Sequence, residues 1–175
     1  KIIRVNHMLR TDDIEKIRRI LFKQASTLDA NVVRQFFRPE GFYVDQLFHT
    51  RDECLNFLTD EAVRNGWMDA EGKSSVFERE HMSSTAIGDF VAIPHALLTE
   101  HMISNISVLI LKEPVQWEDF PVRVVFLLNI EQSKASLWEK MFLKLYSFIK
   151  EYHGLESLLK HKSYEQFMED FIAVL

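Results

Sequence analysis

Ile87-Gly88-Asp89-Phe90-Val91-Ala92-Ile93-Pro94-His95 is the stretch of this chain that predicts both a fold and a site. Its apolar run, residues 91 to 93, indicates a short buried strand, and the proline that follows biases residue 93 towards extended backbone. The histidine is therefore delivered to the carboxyl end of a strand, which is the sheet edge where α/β folds tend to bind ligands. We expect its imidazole to be exposed there.

Residues just before this stretch supply groups that suit a phosphate. Arg79 stands sixteen residues ahead of His95 and can offer a forked cation to phosphate oxygens. The hydroxyl cluster Ser83-Ser84-Thr85 and its loop amides offer neutral donors. The same hydroxyls could instead form only a capping or turn cluster, and Arg79 could be a solvated helix charge. Together these residues predict a phosphohistidine site.

The run resembles the signature of the enzyme IIA domains of the fructose-mannitol class in the bacterial sugar phosphotransferase system (PTS). Glu78 to Gly88 and Val91 to His95 carry the resemblance, and Glu113-Pro114-Val115-Gln116-Trp117 followed by the apolar run Val122 to Ile130 extends it. It covers roughly residues 30 to 175. The resemblance is strongest to one group of these domains, the C-terminal IIA-like domains of PTS-regulated transcriptional antiterminators and activators.

The resemblance implies a chemistry for His95. Its Nε2 would accept a phosphoryl group from the phosphohistidine of the carrier protein HPr, with Nδ1 held by a backbone carbonyl. Arg79, Ser84 and Thr85 would bind the phosphoryl oxygens, with no cofactor, nucleotide or metal. The implied partners are HPr and an enzyme IIB or IIB-like domain in the cytoplasm, and the domain could also form a homodimer. Whether such a domain acts as a transferase enzyme or as a regulatory phosphate acceptor stays open.

Two departures from the family pattern bear on function. Gly88-Asp89-Phe90 stands where the family loop usually reads Gly-Asn-Gly, and since an inward carboxylate would repel phosphate, we expect Asp89 to face solvent. Ser136 replaces a second histidine that transport members carry, although its hydroxyl could still donate to the phosphoryl group. The lost imidazole favours a regulatory domain controlling sugar-utilisation genes. The alternatives are a transport component that passes phosphate to an enzyme IIB, and a degenerate interaction domain that accepts none.

The coarse pattern predicts an α/β fold with a small mixed sheet and helices on both sides. Residues 1–28 are expected to be the tail of a preceding IIB-like domain plus a linker, and residues 29–175 the IIA-like domain. The alternative for the first segment is an amphipathic helix packed on its own domain. Thr50 and Glu53 form a capping box, Ser75 and Glu78 are expected to open a shorter helix, and a turn is expected around Pro114 and Pro121.

Composition excludes several other classes. The chain has 175 residues, 47% of them hydrophobic, which suits one compact domain, and no apolar stretch approaches the eighteen residues of a membrane span. The net charge of −5, with scattered Lys and Arg, predicts no direct contact with nucleic acid. The spacings between histidines fit no zinc motif, and the sequence contains no glycine-rich nucleotide loop. Cys54 lies on an apolar helical pattern that predicts a core position.

Overall fold

A computed structural model describes residues 28–97 and 102–175 of the chain. Its helices are α1 Ala30–Phe36, α2 Arg51–Arg64, α3 Ala70–Met82, α4 Ala135–Lys150, α5 Gly154–His161 and α6 Tyr164–Ala173. Its strands are β1 Phe42–Gln46, β2 Ala86–Gly88, β3 Val91–Ala92, β4 Asn105–Trp117 and β5 Phe120–Asn129. Short 3-10 turns at Pro39–Gly41 and Gln132–Lys134 lead into β1 and α4.

The strands form one mixed sheet in the order β1-β4-β5-β3-β2. β4 and β5 form a long antiparallel hairpin at its centre, with β1 parallel to β4 on one side and β3 parallel to β5 on the other. β2 closes the second edge antiparallel to β3. The α/β fold with a small mixed sheet is therefore confirmed.

Helices cover both faces of the sheet because the central strands are apolar on both sides. On one face, residues such as Val108 and Phe126 pack against α1, α4 and α6. On the other face, residues such as Leu109 and Leu127 pack against α2 and α3. Cys54 lies in this second core with no exposed surface, as predicted, and burial raises the pKa of its thiol to about 12.

The helix signals read from the sequence have mixed outcomes. Thr50 caps α2 as expected, since its hydroxyl accepts from the Glu53 amide at 3.1 Å. The helix expected to open at Ser75 begins earlier, because the Asp69 carboxylate accepts from the Gly72 amide at 2.8 Å and caps α3 at its true start. The prediction of a Ser75 start is therefore wrong.

The turn expected around Pro114 and Pro121 is also wrong. β4 continues through Pro114 to Trp117, and the chain reverses only at Glu118 and Asp119 before β5 begins. A shift of register between Ile110 and Val115 accommodates the proline. Pairing of β1 to β4 ends at Leu111, so the missing proline N–H falls where β4 has one neighbouring strand instead of two.

The expected division at residue 28 stays a prediction, because residues 1–27 lie outside the described part of the chain. Leu28 itself is buried in the core of the α1 face.

Among the described residues, no helix is long and apolar enough to cross a membrane.

Candidate functional site

His95 lies at the carboxyl edge of the sheet, three residues beyond the end of β3. Leu128 of β5 donates its amide to the Pro94 carbonyl at 2.9 Å, and His95 forms an isolated parallel bridge with Leu128. The extended backbone before the histidine therefore continues the pairing of β3 with β5. This pairing sets the imidazole at the edge of the sheet that the sequence predicted.

Both ring nitrogens of His95 have partners that define its tautomer. Nδ1 lies 3.1 Å from the Ile93 carbonyl oxygen, and Nε2 lies 3.1 Å from Nε of Arg79. A carbonyl can only accept and a guanidinium N–H can only donate, so Nδ1 carries the proton and Nε2 presents a lone pair. The expected backbone carbonyl on Nδ1 is confirmed, and Nε2 is the unprotonated ring nitrogen.

Arg79 reaches the histidine from the last turn of α3. Its Nη1 donates to the Ser83 carbonyl at 2.8 Å, just past the end of the helix, while its Nε–H faces His95. The side chain is 8% exposed, and burial lowers the pKa of the guanidinium from its ordinary value. Arg79 is thus brought to the predicted histidine, in contact with its Nε2.

His95 is not exposed, and this expectation from the sequence was wrong. The residue is 8% exposed, because Trp138 of α4 covers the ring edge-on, with ring centroids 5.1 Å apart, and Arg79 covers Nε2. Phe142, one helical turn further on, stacks on Trp138 at 5.4 Å. The imidazole therefore sits beneath an aromatic cover defined by Trp138 and Phe142.

The burial of His95 sets its protonation state. Removal from water lowers the pKa of the imidazole to about 4, with a smaller contribution from the Arg79 charge, while the hydrogen bond to the Ile93 carbonyl opposes this shift. At neutral pH the ring is uncharged. A neutral imidazole with an unprotonated Nε2 is the nucleophilic form of histidine, although here Nε2 accepts a hydrogen bond from Arg79.

The predicted phosphate-binding hydroxyls have different surroundings. Ser84 follows Ser83, whose carbonyl accepts from Arg79, and its own Oγ accepts from the Ala86 amide at 3.2 Å, which leaves its hydroxyl hydrogen for another acceptor. Thr85 is buried, and its hydroxyl donates to the Glu80 carboxylate. Ser136 is exposed in the first turn of α4, two residues before Trp138. A phosphate role for these three hydroxyls stays a prediction.

Two residues near His95 escaped the reading of the sequence. Trp138 follows the position of the missing second histidine, but an aromatic residue on an apolar helix stripe gives no signal of contact with a strand end. Glu80 lies next to Arg79 within the quoted motif and is completely buried. The only signal was its place in that motif.

Asp89 faces solvent, as predicted. Its side chain is 57% exposed and forms an ion pair with Lys150 of α4. Asp89 and Phe90 both adopt left-handed backbone, with φ of 50° and 64°, in the tight turn between β2 and β3. Within residues 28–97 and 102–175, no group of three His, Cys, Asp or Glu side chains is placed to hold a metal ion.

A neutral histidine paired with an arginine at the edge of a mixed α/β sheet is a candidate phosphoryl-acceptor site. The family model described as "Phosphoenolpyruvate-dependent sugar phosphotransferase system, EIIA 2" matches residues 35–173. This chain therefore belongs to the EIIA type 2 family of the phosphotransferase system, which confirms the resemblance noted in its sequence.

Relatives of the chain include regulators and transport components. The "Probable licABCH operon regulator" of Bacillus subtilis (strain 168) is 29% identical over 170 residues, which cover 97% of this chain and 26% of that protein. The "Mannitol-specific phosphotransferase enzyme IIA component" of the same organism is 31% identical over 96 residues, which cover 53% of this chain and 67% of that protein. The chain thus spans about a quarter of the length of the operon regulator.

Solved structures share the fold. Nitrogen regulatory protein IIA-Ntr from Neisseria meningitidis matches with a TM-score of 0.70 at 21% identity, covering 78% of this chain and 96% of that one. Enzyme IIA in the complex of IIAMTL with phosphorylated IIBMTL from Escherichia coli matches with a TM-score of 0.67 at 16% identity, covering 79% and 99%. These likenesses agree with the mixed sheet and its flanking helices.

Proposed function

We propose that His95 accepts a phosphoryl group from phosphorylated HPr, and that this domain reports PTS phosphorylation within a transcriptional antiterminator or activator of sugar-utilisation genes. The observation that carries the proposal is the pair of contacts on the imidazole. The Ile93 carbonyl fixes the proton on Nδ1, and the Nε2 lone pair faces the guanidinium of Arg79. A nucleophile and a cation for the transferred group are therefore adjacent.

The proposed step is an exchange between two nitrogen–phosphorus bonds. The Nε2 lone pair of His95 attacks phosphorus, the bond from phosphorus to the HPr histidine breaks, and its electron pair returns to the HPr nitrogen. The Nδ1 proton stays in its hydrogen bond to Ile93 and carries the positive charge of the new phosphoimidazole. Because donor and product are both phosphoramidates, the exchange needs no nucleotide or other cofactor.

Arg79 has two roles in this proposal. In the described arrangement its Nε–H occupies the Nε2 lone pair, so the guanidinium must shift from nitrogen to the phosphoryl oxygens as the new bond forms. A forked cation suits that second position because it can donate two parallel hydrogen bonds. Ser84 and Ser136 are proposed as further donors, and Thr85 can join them only if its hydroxyl leaves Glu80.

Regulation is favoured over transport by residue 136 and by the kind of relative that spans the chain. Ser136 lacks the imidazole that transport members carry, and the regulator relative aligns with 97% of the chain. Phosphorylation adds about two negative charges, enough to change the packing of neighbouring domains. The proposed partners are HPr and an IIB or IIB-like domain, in the cytoplasm. A second copy of the domain is a further proposed partner, and no direct contact of this chain with nucleic acid is proposed.

A transport role is the second candidate, favoured by the 31% identity to the mannitol-specific IIA component. The two roles differ in the fate of the phosphate. A transport component passes it on to a free enzyme IIB, whereas a regulatory domain retains it. Mixing the phosphorylated chain with enzyme IIB proteins and following loss of the label separates the two roles.

The test of phosphate acceptance is a mass measurement. The chain is incubated with HPr, enzyme I and phosphoenolpyruvate, and an acid-labile gain of one phosphoryl group is expected. His95→Ala must abolish the gain, while His81→Ala, which changes an exposed histidine of α3, must keep it. A chain that gains no mass contradicts the proposal and leaves a degenerate interaction domain. A His95→Ala variant that still gains mass contradicts the proposal that His95 is the acceptor.

A further inference from the structure

The completely buried carboxylate of Glu80 has no part in the proposed phosphoryl transfer and yet accepts three hydrogen bonds. Its Oε1 accepts from the Thr85 amide at 3.0 Å and from the indole N–H of Trp117 at 2.7 Å, and its Oε2 accepts from the Thr85 hydroxyl. A buried carboxylate is costly unless such donors satisfy it. The three donors come from the end of β4 and from Thr85, the residue just before β2, so Glu80 ties α3 to two parts of the sheet.

The chain of contacts continues from Glu80 to one nitrogen of the imidazole. The amide and the hydroxyl of Thr85 both donate to Glu80. The carbonyl of Thr85 accepts a hydrogen bond from the Ile93 amide at 3.0 Å. Ile93 in turn offers its carbonyl to Nδ1 of His95 at 3.1 Å. The position of the carbonyl that selects the Nδ1–H tautomer therefore depends on where Glu80 holds Thr85.

The other nitrogen is reached from the neighbouring residue of the same helix. Arg79, next to Glu80 in α3, donates to Nε2 of His95 at 3.1 Å and to the Ser83 carbonyl at 2.8 Å. Ser83 lies at the end of α3, two residues before Thr85, so the segment that Glu80 fixes also supplies the acceptor that orients the guanidinium. The partners of both ring nitrogens, Ile93 and Arg79, are therefore linked to the segment that the Glu80 carboxylate holds.

We infer that Glu80 is a positioning residue for phosphoryl acceptance, which holds His95 as the Nδ1–H tautomer and aligns Arg79 through Thr85 and Trp117. The inference rests on the proposed role of His95 as phosphate acceptor. Groups that orient a reactive side chain from behind it can govern its tautomer and its rate without touching the reacting atoms, whether directly or through intermediate residues. Glu80 matches that description.

The test measures the tautomer of the unphosphorylated ring by ¹⁵N NMR at neutral pH, together with the rate of phosphorylation by phospho-HPr. Glu80→Met keeps the volume but offers no carboxylate oxygen, so a mixed tautomer population and a rate about tenfold to a hundredfold lower are expected. Glu80→Gln keeps one oxygen for the Thr85 amide and the Trp117 indole and turns its amide towards the Thr85 hydroxyl. It should restore the Nδ1–H form and most of the rate.

A second pair of variants decides the matter if Glu80→Met does not fold. Thr85→Val and Thr59→Val each remove the hydroxyl of a buried threonine, but the Thr59 hydroxyl bonds only within α2, to the Leu55 and Asn56 carbonyls. Thr85→Val should shift the tautomer populations, and Thr59→Val should lower only thermal stability.

Two results overturn the inference. One is an unaltered Nδ1–H ring in folded Glu80→Met, and the other is equal tautomer populations in the two valine variants. If the native chain accepts no phosphate, the proposed function fails. The tautomer measurement, which needs no phosphate, still decides whether Glu80 positions the ring.

Discussion

The Nε–H of Arg79 and the Nε2 of His95 lie 3.1 Å apart, so the guanidinium occupies the lone pair that would attack phosphorus. The Arg79 guanidinium, which would stabilise the transferred phosphoryl group, is thus hydrogen-bonded to the nucleophilic nitrogen before transfer begins. Because the contact requires an unprotonated Nε2, it also keeps the imidazole in its reactive form. Arg79 is therefore expected to contribute twice, once before transfer and once during it.

Replacement of Arg79 by Gln should lower the rate of phosphorylation by about a hundredfold, because an oriented donor to the developing phosphoryl charge is lost. Stopped incubations with phospho-HPr, resolved by mass, provide the measurement. Arg64→Gln is the matched control, since Arg64 is 74% exposed at the end of α2 and should leave the rate unchanged. Equal rates for Arg79→Gln and the native chain would remove the arginine from the site.

Acid should destabilise the domain through His95. The folded pKa of about 4 lies below the ordinary 6.5, so the unfolded chain binds the proton first as pH falls. This contribution to stability is fully present above pH 6.5 and is lost as pH falls towards 4, by about 3 kcal/mol in total. Denaturant unfolding at several pH values measures it. His95→Gln should flatten the slope in this window, and the exposed-site control His161→Gln should not.

Removal of the Trp138 indole should expose the imidazole. In Trp138→Ala we expect the pKa of His95 to rise from about 4 towards 6.5, because desolvation is the main cause of the shift. Phosphorylation at neutral pH should also become faster, since HPr gains access to Nε2. NMR titration of the ring follows the first effect. Phe142→Ala, which removes only the stacking partner of Trp138, should give a smaller change in pKa.

The hydroxyls proposed to bind phosphate should have modest effects. A hydrogen bond to a charged group is worth about 1.5–3 kcal/mol, so Ser84→Ala or Ser136→Ala should slow phosphorylation by about tenfold or more. Rates with phospho-HPr provide the comparison. Ser133→Ala is the control, because Ser133 is exposed and bonds to Glu131 instead. A native rate in Ser136→Ala would mean that Ser136 is merely a surface residue that replaces the second histidine.

The sequence predicted the parts of the site that are local in the chain or carried by the motif. Pro94 and the apolar run before it place His95 at the sheet edge, and the motif pairs it with Arg79. The aromatic cover of Trp138 and Phe142 could not be predicted, because Trp138 lies on α4, which follows the central hairpin in sequence, and its contact with His95 is formed only by tertiary packing. For the same reason the expected exposure of His95 was wrong.

Boundary errors have local physical causes. The start of α3 was expected from the pair Ser75 and Glu78, but the Asp69 cap opens the helix earlier, and Gly72 in its first turn weakens the helical pattern there. Pro114 was expected to mark a turn, yet it is compatible with β4 where β1 no longer pairs. The first boundary is set by a local cap, and the second by the pairing of neighbouring strands.

Gly154, the first residue of α5, should tolerate no side chain. A Cβ there would lie 2.2 Å from Cε1 of Phe148, whose ring packs edge-on against Phe171 with centroids 5.4 Å apart. The ring can move only by disturbing this aromatic core, so Gly154→Ala should cost about 1–3 kcal/mol and lower Tm by several degrees. Gly41→Ala is the matched control, because its Cβ would meet its neighbours at an ordinary 3.5 Å. Equal melting temperatures for the two variants would contradict the close packing of Phe148 against α5.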